Sequence, residues 1–504
     1  MRRALLILAG IAVVTWFEFE FFPGHGYLRS ETQVYVPILE RLASPGLLSR
    51  DLVATHPLFT YTIYDEVTLF LHEVLRFKIE TALLAQQIVF RAAGTMGIFL
   101  LALSGGMSDL RALLTSAIIN LGGFLPGPEL HLIDPEPTTR AFAFGLLLLC
   151  IGFFAREKPL LAGFAGGLAF VYDARAAAPF WIALLIMFAC DPKLRRLARP
   201  SLTILAVFIL LLANMAQLQP GARDPRGLFD KVSPPITRIQ QYRTPSVWVS
   251  SWVARDLWIY LALLLVALWV TRQVWPSLNR QARWLLILLP ILGLLSVPLS
   301  YVLLERARWF LVPQIQPAQT LSLLVVCTSV VCAIAGMRAT SVGRWRTALP
   351  YLGLILLIPA TNLYRRAPAP ALDDVQLANW AEANTWGGSM FLFPDAGKDL
   401  YPGAFRARSR RAVWVDWETG TQADYFDTFA DEWSRRWQDT MEGDYSEKRL
   451  QRLLFLPIDY FVLKRAHKLA GIKPVFGTDA LLVYDAQAIR TSPLGVAATK
   501  KRED

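Results

Sequence analysis

Residues 160–200 read LLAGFAGGLAFVYDARAAAPFWIALLIMFACDPKLRRLARP. Up to Cys190 the run is apolar except at Asp173-Ala174-Arg175, and a basic segment follows with Lys193, Arg195, Arg196 and Arg199 against Asp191. As one long helix, this stretch would place the basic segment outside a membrane. As two short helices hinged at Asp173–Arg175, it returns the chain to its starting side, and the basic segment is cytoplasmic, as positive charge beside spans tends to be. The two limbs have roughly 13–15 residues each, fewer than the ~20 needed to cross ~30 Å of hydrocarbon. The hinge is therefore expected below the outer surface, where charge is tolerated only beside protein or water. A cavity opening outward is implied.

The same pattern extends along the whole chain. Of 504 residues, 54% are hydrophobic and only 18% charged, against about 25% charged in ordinary soluble domains. The apolar residues fall into about eleven blocks, from Ala4–Phe22 to Thr347–Tyr364, among them Ala112–Leu125 and Ser201–Leu218. Met1-Arg2-Arg3 precedes the first, and no small-residue cleavage site follows it, so it is expected to be a retained helix with a cytoplasmic N-terminus. The loops then predicted inside carry Arg111, Arg156, Lys158, Arg272, Arg280, Arg283, Arg338, Arg344 and Arg346. The fold expected is an α-helical polytopic membrane protein with about 11 transmembrane segments.

The net charge of +11 is unevenly spread. From Ala371 onward there are 18 Lys and Arg against 20 Asp and Glu; the first 370 residues hold 33 against 20. Basic excess confined to the membrane part follows from loop orientation and implies no nucleic acid. Cys150, Cys190, Cys327 and Cys332 all lie in apolar blocks without metal-type spacing and read as buried hydrophobes.

An odd number of spans puts the C-terminal domain outside. The linker Arg365-Arg366-Ala367-Pro368-Ala369-Pro370 separates a transmembrane domain (1–366) from an extracytoplasmic α/β domain (371–504). In the latter, helices are predicted over Asp373–Asn384 and Ala423–Met441, and strands over Ser389–Phe393, Ala412–Trp417, Asp459–Lys464 and Leu481–Asp485.

Polar residues on the outer side gather in few places. The first external loop, residues 23–80, is far longer than an ordinary connection. Ser30-Glu31-Thr32-Gln33 fits a capping box ahead of an apolar stripe at Val34, Ile38 and Leu42. A second amphipathic stretch runs through Val67, Phe70, Leu71 and Val74, and both look like surface helices. Glu31 falls in a first helical turn, where the dipole favours an ionised carboxylate; it is either functional or a solvated helix-start acid. Asp51 and His56 either bind substrate or order their loop. In His131–Arg140, the residues Glu136 and Arg140 form either a salt-bridged corner or a pyrophosphate and sugar site. Arg306 and Arg308 are phosphate ligands or interfacial anchors. Arg91, a charge inside a span, is a further candidate. No Walker loop, dinucleotide glycine pattern, paired zinc histidines or nucleophile elbow is present.

With its layout and the segments Glu31-Thr32-Gln33-Val34-Tyr35, Thr55-His56-Pro57-Leu58, Glu136-Pro137 with Arg140, and Leu377–Thr385, the chain resembles the GT-C-type integral membrane glycosyltransferases. Those enzymes carry Asp where this chain has Glu31. The resemblance implies transfer of a hexose or pentose from a polyprenyl-phosphate donor to an extracytoplasmic acceptor, with inversion, in the plasma (inner) membrane. Glu31 would be the general base. Arg140 and Arg175, with Arg306 or Arg308 in reserve, would stabilise the departing phosphate. Asp51, His56, Glu136 and Asp173 would position sugar or acceptor. No cofactor is required, a divalent cation being the one group left open. The partners implied are the lipid-linked sugar, membrane lipids, and proteins reached through the C-terminal domain. Two other readings fit the layout: a lipid-linked sugar transporter, and a structural subunit without catalysis.

Overall fold

The computed structural model describes residues 2–57, 61–218, 229–362 and 371–496. The linker 365–370 and Leu58 lie outside the described residues. The chain forms two compact units. The first comprises Met1–Gly26, Phe59–Val232 and Thr244–Arg366; the second Tyr27–Leu58, Ser233–Arg243 and Ala367–Asp504. This departs from a division at residue 366 alone, because two segments from the earlier part of the chain pack with the C-terminal unit.

The first unit is almost wholly helical. Five described helical stretches are long and apolar enough to cross a membrane: Ile79–Ser104, Pro192–Met215, Ala254–Ser277, Arg280–Arg306 and Leu311–Ser341. Thr139–Ala155, Pro159–Tyr172, Ala174–Cys190 and Trp345–Ala360 are apolar but shorter. The break at Asp173 leaves limbs of 14 and 17 residues, roughly 21 and 26 Å at 1.5 Å per residue. Two expected spans differ. Asp109–Asn120 is a 12-residue helix, and the chain then turns into a hairpin of β1 (Phe124–Leu125) and β2 (Leu130–His131). The basic segment after Asp191 is no loop but the start of one continuous helix, Pro192–Leu218. Asp191 caps that helix through the amides of Lys193 and Leu194 and takes both a bidentate bond from Arg280 (2.7 Å each) and the indole N–H of Trp284. Cys190 is exposed, against expectation, since it ends its helix; the other three cysteines are buried.

Helix Ile79–Ser104 and helix Thr139–Ala155 approach through glycine. A Cβ at Gly97 would lie 2.2 Å from the Leu148 backbone, and one at Gly145 would lie 2.1 Å from the Phe90 carbonyl. Close backbone contact of this kind holds apolar helices together where burial from lipid adds no driving force. On Pro192–Leu218 and Ala254–Val274, Val207, Leu210, Leu211, Trp258, Leu265 and Trp269 face outward, a composition suited to hydrocarbon rather than water.

The second unit is built on a five-stranded sheet in the order β4-β3-β5-β7-β6. Its strands are β3 (Met390–Leu392), β4 (Ala412–Val413), β5 (Tyr460–Lys464), β6 (Phe476–Gly477) and β7 (Leu481–Asp485). β4, β3 and β5 run parallel, while β7 is antiparallel to both β5 and β6. β4 is shorter than the expected Ala412–Trp417: after Val413 the chain leaves the sheet, and Trp414 is covered by the Arg436 guanidinium, 3.9 Å from its ring centre. Helices Leu372–Asn384 and Tyr401–Ser409 pack against the sheet and against each other, while Asp427–Thr440 packs on the turn Glu418–Asp424. Phe391, Phe393, Phe405, Val462 and Tyr484 are fully buried.

Candidate functional site

In the second unit, Glu31 immediately precedes helix Thr32–Ala43, is exposed, and accepts the Tyr35 hydroxyl on Oε2 at 3.1 Å. A tyrosine at i+4 thus fixes the rotamer of a solvent-facing carboxylate. The capping box does not form. Gln33 donates its amide to the Leu28 carbonyl at 2.9 Å and its Oε1 has no hydrogen-bond partner, while the Thr32 hydroxyl accepts from Leu28 N–H.

Asp51 is fully buried. Its Oδ1 takes the amides of Val53 and Ala54, its Oδ2 the amide of Val413, and Arg406 Nη1 stands 3.7 Å from Oδ2 while bonding Asp416 at 2.8 Å. Burial pushes this carboxyl above its usual range, opposed by Arg406 and the amides. These contacts are all internal, so the geometry makes Asp51 a tether for its loop rather than a ligand for substrate. His56 donates Nδ1–H to the Leu52 carbonyl at 2.8 Å and packs edge-on to Phe429. A carbonyl can only accept, so the neutral ring keeps Nε2 as an acceptor.

In the first unit, Thr139 Oγ1 links the acidic loop to the hinge, reaching Asp173 Oδ2 at 3.3 Å. Asp173 caps helix Ala174–Cys190 and holds Arg175 through Nε (2.9 Å) and Nη2 (2.6 Å); Arg175 Nη1 reaches the Gln314 carbonyl. Arg140 is equally engaged, with Asp134 at 3.2 Å, the His131 carbonyl at 3.0 Å and the Phe144 ring alongside. Glu136 is buried. Arg306 and Arg308 differ. They are exposed at the end of a π-helical turn, Tyr301–Arg306, and neither is in an ion pair among the described residues. Arg306 lies over the Tyr301 ring, 5.3 Å from its centre. Arg308 is left-handed at φ 53°, held there by the bond from Val232 N–H to its carbonyl. Such turns and backbone conformations gather at functional sites.

No protein-family model matches the chain, and no curated protein sequence does. Among solved structures, the arabinofuranosyltransferase AftD from mycobacteria aligns at a TM-score of 0.50 with 16% identity, over 96% of this chain and 40% of that one. The Archaeoglobus fulgidus oligosaccharyltransferase gives 0.46 and 10% identity, over 91% and 69%. ArnT from Cupriavidus metallidurans bound to undecaprenyl phosphate gives 0.39 and 14%, over 97% and 98%. This chain has the GT-C fold.

Within the GT-C fold, the nine candidate side chains fall into two sets: Glu31, Asp51 and His56 in the second unit, and Glu136, Arg140, Asp173, Arg175, Arg306 and Arg308 in the first. Sequence reading missed what holds the acidic loop. Arg91 donates to the carbonyls of Glu18, Gly24 and Asp134, Gln87 and the Gly26 amide to Pro135, and the Tyr64 hydroxyl to Pro137. Arg91 was visible as a lone charge in a span, but Gln87 and Tyr64 gave no signal. Glu18, Arg91, Asn120, Asp134 and Arg140 line a small cavity of about 30 Å³, room for one or two water molecules. Among the described residues, no three His, Cys, Asp or Glu side chains converge as a metal site, and Asp134 and Asp173 are each paired with arginine.

Proposed function

We propose that this GT-C chain is a glycosyltransferase that moves a sugar from a polyprenyl-phosphate donor to an extracytoplasmic acceptor with inversion. The observation carrying this reading is the pair of exposed guanidiniums of Arg306 and Arg308 at a strained turn, neither in an ion pair among the described residues. A departing phosphate needs donors that are unengaged before it arrives. Arg140 and Arg175 are held by Asp134 and Asp173, so Arg306 and Arg308 move ahead of them as phosphate ligands, with Arg140 and Arg175 shaping the loops nearby in sequence.

Polyprenyl phosphate is a good leaving group, so no general acid is required. Glu31 takes the acceptor hydroxyl proton as that oxygen attacks the anomeric carbon in line; the C–O bond to phosphate breaks and the phosphate leaves as an anion. Tyr35 holds the carboxylate in place. His56, with Nε2 as an acceptor, takes a hydroxyl of sugar or acceptor. The C-terminal unit is extracytoplasmic in this reading. Ala470→Cys, at an exposed position and with Cys190 replaced, should react with impermeant thiol reagents in intact cells.

Donor binding tests the arginine assignment. Arg306→Ala and Arg308→Ala should each weaken polyprenyl-phosphate binding by about 10-fold or more, the value of a charge-assisted hydrogen bond. Unchanged affinity in both variants would defeat it.

A further inference from the structure

The second unit contains a cluster that the proposed transfer does not use. Its three parallel strands are ordered β4-β3-β5: the chain leaves β3 for β4 on one side and returns to β5 on the other. The carboxyl ends of β3 and β5 therefore flank a topological switch point, the place where open α/β sheets bind ligands. Asp395 follows β3, and His467 follows β5. His467 Nδ1 bonds Asp395 Oδ2 at 2.9 Å, and the same oxygen takes the Lys464 amide at 2.6 Å. The other oxygen, Oδ1, has no partner among the described residues, although the Asp395 side chain is only 1% exposed. Two further buried atoms nearby also lack a partner among the described residues: the hydroxyls of Tyr401 and Tyr445. Tyr445 stacks on His467 at 4.4 Å between ring centres, and Tyr401 packs edge-on against Phe393, two residues before Asp395. Both phenols are pushed above their ordinary range by burial and then by the Asp395 charge.

Buried polar atoms ordinarily have partners. Here one carboxylate oxygen can only accept, and two hydroxyls can donate or accept, which together match a set of ligand hydroxyls. The surrounding charge selects against an anion. Lys464 pairs with Asp399 at 3.0 Å, and the charges that reach the Tyr401 hydroxyl are those of Asp395, Asp399 and Asp374. Such a field disfavours a phosphate, and two hydroxyls beside a carboxylate oxygen match the hydroxyls of an uncharged ligand. The Tyr445 and His467 rings add an apolar face. We propose that the carboxyl end of this sheet is a binding site for a neutral saccharide, held by Asp395, Tyr401 and Tyr445 beside His467. The proposal goes beyond the transferase reading and does not depend on it, since binding here requires no transfer.

The test uses the full chain in nanodiscs and a panel of neutral tri- to hexasaccharides, with binding read by saturation-transfer NMR and thermal stability read in parallel. Tyr401→Phe and Tyr445→Phe delete only a hydroxyl. Each should weaken saccharide binding about two- to twelvefold, the range for one hydrogen bond, while leaving the midpoint of unfolding unchanged or raised, because a buried unpartnered group is removed. Asp395→Asn should weaken binding further. The proposal is overturned if the parent binds no saccharide, or if both phenylalanine variants bind normally. It is equally overturned if they lose stability without losing binding, the mark of hydroxyls that hold a structural water. Capture of spermidine in place of saccharide would also refute it.

Discussion

Arg406→Met in the second unit should be among the most destabilising single changes in the chain. The Arg406 guanidinium is almost completely buried, 2.8 Å from Asp416 and 3.7 Å from Asp51, and both carboxylates are buried too. Methionine fills much of the volume but removes the only cation that pairs with these two acids among the described residues. Breaking a buried ion pair by deleting one partner costs about 3–5 kcal/mol, since the remaining charge has neither water nor counter-ion. For a unit of this size, with a shift of about 2–4 °C per kcal/mol, the midpoint of unfolding should fall by roughly 6–20 °C. Trp417, Trp433 and Trp437 stack in the same unit, so tryptophan emission during heating reports on it. The loss also has a pH signature. Burial already raises the Asp51 carboxyl and Arg406 opposes that rise; without the guanidinium Asp51 binds its proton still more tightly in the folded state, so the deficit should be largest at neutral pH and shrink toward pH 4. A midpoint within about 2 °C of the parent would refute the electrostatic argument, as would a deficit that does not change with pH.

Two further perturbations act on the first unit. Burial, and then the neighbouring carboxyl of Glu66, push Asp65 up to about 8; the unfolded value is ~3.9. Between those values the unfolded chain is ionised and the folded one keeps its proton, so stability should fall as pH rises toward 8. Asp65→Asn should flatten that decline and raise the midpoint of unfolding at pH 8; parallel pH profiles for the two proteins would contradict this. Arg91→Leu removes three donors from the carbonyls of Glu18, Gly24 and Asp134, at a cost on the order of 3 kcal/mol. Amide exchange should accelerate across residues 131–140, and an unchanged exchange pattern there would show that the loop is held by something else.

Local pattern carried some of these features and long-range pairing hid the others. Asp173 was legible because a charge pair inside an apolar run has few places to go; the amphipathic helix Tyr64–Leu75 follows from periodicity, and strand Leu481–Asp485 from a short continuous apolar run. Charge bias suggested a loop after Asp191. The residues there are helical nonetheless, because a basic helix can extend beyond the apolar layer without breaking. That Tyr27–Leu58 packs with the C-terminal unit rests on pairings such as Asp51 with Val413 and Arg50 with Asp459. These partners are hundreds of residues apart, and no window along the chain brings them together. The candidate arginines were visible as charges at the ends of apolar blocks, but which were already engaged was not. Asp134 and Asp173 look no different in sequence from acids facing water, and only their positions show that they hold Arg140 and Arg175.

Turnover by the purified protein in lipid vesicles tests the central claim most directly. Supplied with polyprenyl-phosphate sugars and an extract of envelope acceptors, the parent should release free polyprenyl phosphate as sugar is transferred. Glu31→Gln keeps the shape of the side chain and can still accept the Tyr35 hydroxyl, but it cannot take the acceptor proton. Its turnover should fall about 10²–10⁴-fold, with donor binding retained. Full transfer by the Glu31→Gln protein would contradict the account.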